Sequence, residues 1–457
     1  MKVHIFTLGC KVNIYETGAM EEQFIKHGYE LTDDIADVYV VNTCSVTNIA
    51  ERKSRQMLRR AKELNPKAII VACGCYAQVA GKEIANIPEV DIIIGNNEKT
   101  QIVNIIEEYK KNKQEEIISD VMHQNNFLDF GITTYTEMNR AVIKVQDGCD
   151  RFCTYCIIPY ARGKVRSRVP ENILEEIKEI SEKGIKEVVI TGIHLASYGK
   201  DFKEETVVKY RKNYGYDEKY TKFTPNDDLH SGGFRLIELL EQINKIDGIE
   251  RIRLGSLEPK LINEEFINRL SKIAKICPHF HLSLQSGCDK TLKAMNRRYT
   301  TEEFEKAVEL IRKYFKEVSL TTDIIVGFPG ETDEDFDKTY QFLKHIKFYK
   351  MHIFKYSPKK GTVAEKMTNQ IDGKVKEERS KKLIELSNKN EEEYNKNNIG
   401  KIVKVLFEEK VGEYYKGHTT NYITVNAKYN ENVIDKIKEV KIENTYKNLE
   451  TLGKIID

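Results

Sequence analysis

Short Val/Ile-rich runs separated by helix-length spacers occur in two series along the chain, and this spacing constrains the fold more than any single residue does. Runs at 3–8, 38–42, 68–72 and 91–94 read as buried strands of a parallel sheet, because each is brief and apolar and is followed by enough chain for a crossover helix. From residue 141 the alternation restarts, and runs at 141–145, 187–191, 251–255, 279–284, 318–327 and 350–356 predict six further strands. Helical spans such as 170–183 and 301–314 fit between them. Six βα units predict an open or closed barrel, with its chemistry at the carboxyl ends of the strands. The end of the chain differs: alternating runs at 403–407 and 422–425, with a turn at Gly417-His418-Thr419, predict a small β-barrel.

The expected fold class is therefore α/β, and 457 residues at roughly 150 per domain allow about three domains. We place an open parallel α/β sheet domain at 1–114, a partial βα barrel at 139–372 and the small β-barrel at 397–457. The charged stretch 110–116 and the weakly patterned segment ending near Met138 read as a linker or interdomain strand. Residues 200–233, polar and Tyr-rich, read as an inserted loop rather than a barrel element. Residues 374–396 carry seven Lys/Arg and six Glu and read as a solvated helix.

The chain has 73 Lys and Arg against 71 Asp and Glu, which excludes a generally basic nucleic-acid binder and requires any such surface to be local. Nine cysteines, odd in number and unevenly spaced, exclude a secreted disulfide framework and favour metal or redox chemistry. The apolar run at 1–8 contains Lys2 and His4 and is too short for a signal-peptide core, and no run reaches the ~18 apolar residues of a spanning helix. The expected setting is a reducing cytoplasm, without membrane attachment.

Cys149-x3-Cys153-x2-Cys156 puts three thiolates in one loop just after the first barrel strand. Iron–sulfur clusters usually take four cysteine ligands, so a three-cysteine loop leaves one iron open to a chelating small molecule. Zinc would require a fourth Cys or His nearby, and no His follows until His194. A dispersed second set, Cys10, Cys44 and Cys75, follows three successive strands of the N-terminal sheet, whose carboxyl ends open onto one crevice. Strand position alone makes Cys73 as plausible a ligand as Cys75, although its place also suits a buried structural thiol. Cys277 and Cys288 have no partner spacing and read as structural.

The cysteine loop resembles the radical S-adenosylmethionine signature. Together with Thr7-Leu8-Gly9-Cys10-Lys11-Val12-Asn13, Asn42-Thr43-Cys44, Gly74-Cys75-Tyr76-Ala77-Gln78, Pro159-Tyr160-Ala161-Arg162 and Asp323 to Glu331, it is similar to the methylthiotransferase family over nearly the whole chain. Within that family the Gly-Cys-Lys-Val-Asn form resembles the branch acting on threonylcarbamoyl-adenosine at position 37 of tRNA. The isopentenyl-adenosine branch usually has Gly-Cys-Gln-Met-Asn there, and the ribosomal-protein aspartate branch Gly-Cys-Pro-Lys-Asn.

The resemblance implies two [4Fe–4S] clusters. One is held by Cys10, Cys44 and Cys75, with the Gly-Cys-Tyr-Ala-Gln match choosing Cys75 over Cys73. The other is held by Cys149, Cys153 and Cys156 and binds S-adenosylmethionine, whose reductive cleavage yields the radical needed to break an unactivated adenine C2–H bond. No catalytic residue beyond the cluster ligands is implied. Sister specificities, toward isopentenyl-adenosine or a ribosomal-protein aspartate, are the nearest alternatives; a non-catalytic iron–sulfur or zinc RNA-binding protein is the alternative of another class.

For the nucleoside cofactor the candidates are Tyr155, Thr191, Gly192, Ser283, Gln285 and Gly327, with Glu258 and Arg297 read instead as an exposed ion pair. For RNA the candidates are Arg52, Arg55, Arg59 and Arg60 in an acid-free helix. Arg162, Arg166 and Arg168 join them, because alternation would put them on one face of an extended strand. Gly417 to Tyr422 resembles a TRAM domain, an OB-like RNA-binding barrel, which here carries ten lysines and nine acids from Ile399 onward. The expected partners are tRNA and a flavodoxin- or ferredoxin-like electron donor, the sulfur donor being unspecified, and the expected state is a monomer.

Overall fold

The computed structural model describes residues 1–112, 116–131, 139–216 and 234–456. The first strand series forms one parallel sheet in the order Glu30–Leu31, Lys2–Thr7, Val38–Thr43, Ile69–Gly74, Ile92–Ile94, Glu116–Ile117. Successive residues of a strand point to opposite faces, and both faces are covered. Val38, Val40 and Val71 meet Phe24 and Ile102 on one side, while Tyr39, Val41 and Ile70 meet Leu58 and Tyr76 on the other. Burial on both faces is why these strands are continuous apolar runs rather than alternating ones. The last edge strand lies inside the stretch read as a linker or interdomain strand and belongs to the N-terminal sheet; 113–115 and 132–138 of that stretch fall outside the described residues.

The second series gives six parallel strands in chain order: Arg140–Asp147, Glu187–Gly192, Arg251–Leu254, His279–His281, Ser319–Val326 and Lys350–Lys355. Single bridges, Ile252 to Ile276 and Leu257 to Leu282, join the two halves. The outer edge of Arg140–Asp147 pairs antiparallel with Arg166–Ser167 rather than with Lys350–Lys355, so the barrel is open. Ala141, Ile143, Val188, Ile252 and Leu320 pack outward against helices such as Pro170–Glu182 and Thr301–Tyr314. Period-two alternation then turns Arg140, Lys144, Glu187, Arg253, His281 and Asp323 toward the inside, giving a polar lumen.

Two readings need correction here. The insertion begins as the helix Glu204–Tyr214, whose Val207 and Tyr210 join the barrel core, while 217–233 lies outside the described residues. The helix Gly373–Lys396 is not simply solvated. Leu383 and Leu386 belong to the barrel core, and the Ser387 hydroxyl accepts from the Met351 amide at 2.9 Å. Its charges occupy the remaining face.

The C-terminal residues form a closed five-stranded barrel from Ile402–Val411, Tyr414–Thr419, Thr424–Lys428, Thr451–Ile455 and Ile437–Thr445. Gly417-His418-Thr419 lies within a strand rather than in a turn. A Cβ at Gly417 would sit 2.1 Å from the Leu406 carbonyl oxygen, so its glycine serves close strand approach. The turn comes at Tyr422, whose φ is +68°.

This small barrel closes the amino-terminal end of the larger one. Arg251 donates to the carbonyls of His418 (3.0 Å) and Lys404 (2.9 Å), and Arg253 to those of Thr420 (3.0 Å) and Thr419 (3.2 Å). The Tyr422 ring stacks on His279 and His418 at 4.7 and 4.8 Å, with the Arg253 guanidinium 4.6 Å from its centroid. Glu187, also buried, accepts from Arg253 Nε at 2.7 Å. Among the described residues no helix is long and apolar enough to cross a membrane.

Arg253→Leu leaves Glu187 only Arg251 at 3.5 Å and Arg140 at 3.9 Å. It should lower the unfolding free energy by about 3 kcal/mol in a denaturant titration, the cost of an under-compensated buried charge.

Candidate metal centre

Cys10, Cys44 and Cys75 lie at the carboxyl ends of three hydrogen-bonded neighbour strands, Lys2–Thr7, Val38–Thr43 and Ile69–Gly74. Gly9 has φ +101°, and a Cβ there would be 2.8 Å from the Cys44 sulfur. Asn13 ties the strand ends together, donating to the carbonyls of Leu8 (2.7 Å) and Thr43 (3.1 Å). Burial pushes the Cys44 thiol up to about 12, with the Cys75 and Cys10 sulfurs close enough to add to the effect. Cys73 faces elsewhere: it is fully buried among Val3, Val38, Val71 and Ile92, and its sulfur is 3.8 Å from the Asn42 side-chain oxygen. Arg162 Nε points at the Cys75 sulfur from 3.3 Å, and Asn96 Nδ2 lies 3.8 Å from it.

The second triad occupies the loop after Arg140–Asp147. The loop is pinned from the far side of the barrel: Thr154 N–H donates to the Met295 carbonyl at 3.1 Å and Asn296 Nδ2 to the Phe152 carbonyl at 3.0 Å. Burial holds both the Cys149 and Cys156 thiols up at about 12, with Cys153 raising each further, so the three sulfurs share one small volume. Arg297 Nη1 lies 3.4 Å from the Cys153 sulfur.

In both triads a guanidinium N–H is therefore spent on sulfur, an arrangement suited to thiolate rather than thiol. The charge around Cys75 points the same way, because among the described residues the only acids the buried set Lys99, Lys144, Arg162 and Arg166 meets are Glu16 and Asp147. Four cations against two anions leave a surplus of two positive charges, and a three-thiolate iron–sulfur cluster, anionic overall, would offset part of it. The residues present fit two such clusters.

The buried ion-pair set also joins the sheet to the barrel. Glu16, on the helix Lys11–Lys26, accepts from Lys99 (2.5 Å), Lys144 (2.7 Å) and both Arg162 terminal nitrogens (2.5 and 3.0 Å). Burial would raise its carboxyl, but Arg162, Lys144 and Lys99 override that and hold it well below the ordinary value of 4.5. None of these residues was singled out for this role in the sequence, where Glu16 and Arg162 are 146 positions apart.

Arg162, Arg166 and Arg168 are consequently not an RNA-facing strip. All three are at most 1% exposed, Arg162 ending a helix at Ile158–Arg162 and Arg168 bonded to Glu176 and Asp129. The acid-free helix does form, as Asn48–Leu64. Arg52, Arg59 and Arg60 are exposed on it, whereas Arg55 is taken up by the Tyr76 hydroxyl at 2.8 Å.

The nucleoside candidates gather at the strand carboxyl ends. Thr191 and Gly192 close Glu187–Gly192, where a Cβ on Gly192 would meet the Gln146 side chain at 2.9 Å. The half-buried Ser283 offers its carbonyl to Arg297 (3.1 Å) and Tyr299 (2.5 Å). Gln285 has φ +69° and donates its amide to the Asp323 carbonyl at 2.9 Å. Gly327 also has φ +69°, and a Cβ there would be 2.3 Å from the Lys376 chain. The Tyr155 ring stands edge-on to Phe328 with centroids 6.5 Å apart.

Glu258 and Arg297 are not an exposed pair. Glu258 is 5% exposed and binds His194 Nε2 at 2.6 Å and Arg151 at 3.1 Å. Burial opposes its ionisation, yet the His194 hydrogen bond and charge, with Arg151 and Arg297, bring it down to about 2.

Because the Glu16 carboxyl is depressed on folding, its stabilisation is complete above about pH 4.5 and is lost as the pH falls through its lower folded value. Glu16→Gln should cost several kcal/mol at pH 7, and the gap to the unsubstituted protein should close progressively as the pH falls below about 4.5 in urea titrations.

Residues 143–343 match the Radical SAM superfamily, and residues 2–95 match the Uncharacterized protein family UPF0004. The chain is 41% identical to a Threonylcarbamoyladenosine tRNA methylthiotransferase MtaB of Aquifex aeolicus, over 93% of this chain and 96% of that one. It is 38% identical to the protein of the same name in Bacillus subtilis, over 96% and 93%. A tRNA-2-methylthio-N(6)-dimethylallyladenosine synthase of Caldicellulosiruptor saccharolyticus is 34% identical over 96% and 89%. In fold, the chain is similar to the radical S-adenosylmethionine methyltransferase TsrM of Kitasatospora setae, with TM-score 0.52, 12% identity and coverage of 77% and 72%. With relatives this similar over nearly their full length, the chain belongs to the radical S-adenosylmethionine tRNA methylthiotransferase family.

Proposed function

We propose that this protein methylthiolates C2 of adenine in N6-threonylcarbamoyladenosine at position 37 of tRNA. The observation that carries the reading is the link between the triads. Arg162 lies six residues after Cys156 in sequence and donates to the sulfur of Cys75. Two cysteine sets bound into one buried network can serve one substrate atom. The choice of threonylcarbamoyladenosine over the dimethylallyl nucleoside rests on identities of 41, 38 and 38% to the first group of relatives against 34 and 35% to the second.

In this reading Cys10, Cys44 and Cys75 hold one [4Fe–4S] cluster and Cys149, Cys153 and Cys156 the other. When bound, the clusters and S-adenosylmethionine supply the electron transfer, hydrogen abstraction and sulfur and methyl delivery that acid–base groups cannot. The chain's own residues position and exclude. Arg162 and Arg297 direct N–H groups at Cys75 and Cys153, Asn13 fixes the strand ends, and Arg151, His194 and Glu258 brace the cysteine loop against the neighbouring strand ends. Tyr155, Thr191, Gly192, Ser283, Gln285 and Gly327, at or beside those ends, are assigned to the nucleoside cofactor.

For tRNA, Arg52, Lys53, Arg59 and Arg60 form the exposed part of the basic helix, and the C-terminal barrel, nearly neutral in net charge, adds a TRAM-like surface. We assign the protein to the cytoplasm, as a monomer served by a flavodoxin- or ferredoxin-like donor.

The test is mass spectrometry of tRNA nucleosides from a deletion strain. The 2-methylthio form of threonylcarbamoyladenosine should vanish and return with the plasmid-borne gene; its persistence would reject the assignment. Reconstituted protein should carry about eight iron atoms per chain. Cys75→Ala should keep about four and still cleave S-adenosylmethionine without inserting sulfur, whereas Cys153→Ala should lose cleavage altogether. Arg59→Glu with Arg60→Glu should weaken tRNA binding irrespective of the base at position 37 and flatten its salt dependence by about one power per lost phosphate contact.

A further inference from the structure

The charges inside the central barrel are almost all answered. Glu187 meets Arg253 at 2.7 Å and Arg251 at 3.5 Å, Arg140 reaches Glu408 at 3.2 Å, and Asp323 lies 3.3 Å from His281. Lys11 is different. It opens the helix Lys11–Lys26 directly after Cys10, and among the described residues no carboxylate or carbonyl pairs with its ammonium. The side chain is solvent-accessible, yet it lies within electrostatic reach of Tyr422, Arg253, Arg140 and Glu187 at the barrel floor, the last already paired with Arg253, and of His279 and His352 on its wall. It therefore faces an open chamber enclosed by protein. A cation without a direct counter-ion, in a chamber whose other charges are already paired with one another, is a place for an anion.

The substrate class supplies one. In adenine, C2 and C6 flank the same ring nitrogen, so a base that turns C2 toward Cys10 carries its N6 substituent one ring edge away. That distance is within reach of the side chain that follows Cys10. The curated relatives divide between a threonylcarbamoyl substituent, which ends in a carboxylate, and a dimethylallyl one, which is hydrocarbon.

We propose that Lys11 is a specificity-determining residue whose ammonium takes the carboxylate of the N6 substituent. The inference rests on the function proposed above and goes further by naming the group that reads the substrate. It acts in both directions. A carboxylate gains a charge-assisted hydrogen bond, whereas a dimethylallyl group would strip water from Lys11 and give nothing back.

The test uses the full-length, cluster-loaded protein and three anticodon stem–loops that differ only at position 37, as adenosine, N6-threonylcarbamoyladenosine or N6-isopentenyladenosine. Binding is read by fluorescence anisotropy at one salt concentration. The unsubstituted protein should prefer the threonylcarbamoyl RNA by about tenfold or more, the range of a charge-assisted bond. Lys11→Gln should bring that RNA to the affinity of the adenosine RNA and leave the latter unchanged, with iron content unaltered, while Lys11→Arg should keep most of the preference. Retention of the full preference by Lys11→Gln would overturn the proposal, as would an equal loss for all three RNAs, which would make Lys11 a phosphate contact. An unsubstituted protein that favours the isopentenyl RNA would instead reject the substrate assignment itself.

Discussion

The rest of the structure depends on one buried interaction, the Glu16 carboxylate held by Lys99, Lys144 and Arg162. Its members come from the N-terminal sheet domain, a barrel strand and the helix that follows the cysteine loop. Burying so many charges is unfavourable unless each is paired, and here each partner comes from a different part of the chain. The network therefore penalises any displacement of the sheet relative to the barrel, and Arg162 extends it to the Cys75 sulfur. A second clasp lies at the edge, where Lys359 meets Glu51 at 2.5 Å and Asn48 donates to the Pro358 carbonyl at 3.2 Å. The geometry between the cysteine sets is thus fixed by charge pairing more than by apolar contact.

The same logic governs the far end of the barrel. A six-stranded open barrel with a polar lumen does not fill itself, and the C-terminal barrel closes it with Tyr422, held between two histidines and beneath Arg253. A module that resembles an RNA-binding fold is in this way part of the chamber floor. Lys11, next to the proposed cluster ligand Cys10, lies within electrostatic reach of that floor. On the proposed reading, recognition of RNA backbone and of the modified base would be built from the same packed unit.

Much of this was legible in the sequence because it depends on local pattern. Continuous Val/Ile runs located ten strands, since burial on both faces leaves a signal within each segment, and the cysteines at strand ends followed from parallel topology. Charge was legible only where it is exposed. The alternation Arg162, Arg166, Arg168 looks like one face of a strand, but Arg162 ends a helix, Gly163 turns the chain at φ +72°, and the partners lie far away in sequence. Glu258 and Arg297 were misjudged for the same reason, as were the buried positions of the helix Gly373–Lys396. A sequence window shows the charge of a side chain without its counter-ion, and here the counter-ions are long-range.

The central claim is that the buried charge network holds the two cysteine sets on one cavity, where two clusters serve one substrate atom. Electron paramagnetic resonance of the reduced, doubly loaded protein tests this most directly, because paramagnetic clusters facing one cavity broaden one another's signals. The account predicts a spectrum broader than the sum of those from Cys75→Ala and Cys153→Ala, each loaded with its remaining cluster. A spectrum equal to that sum would place the clusters too far apart to act on one base and would contradict it.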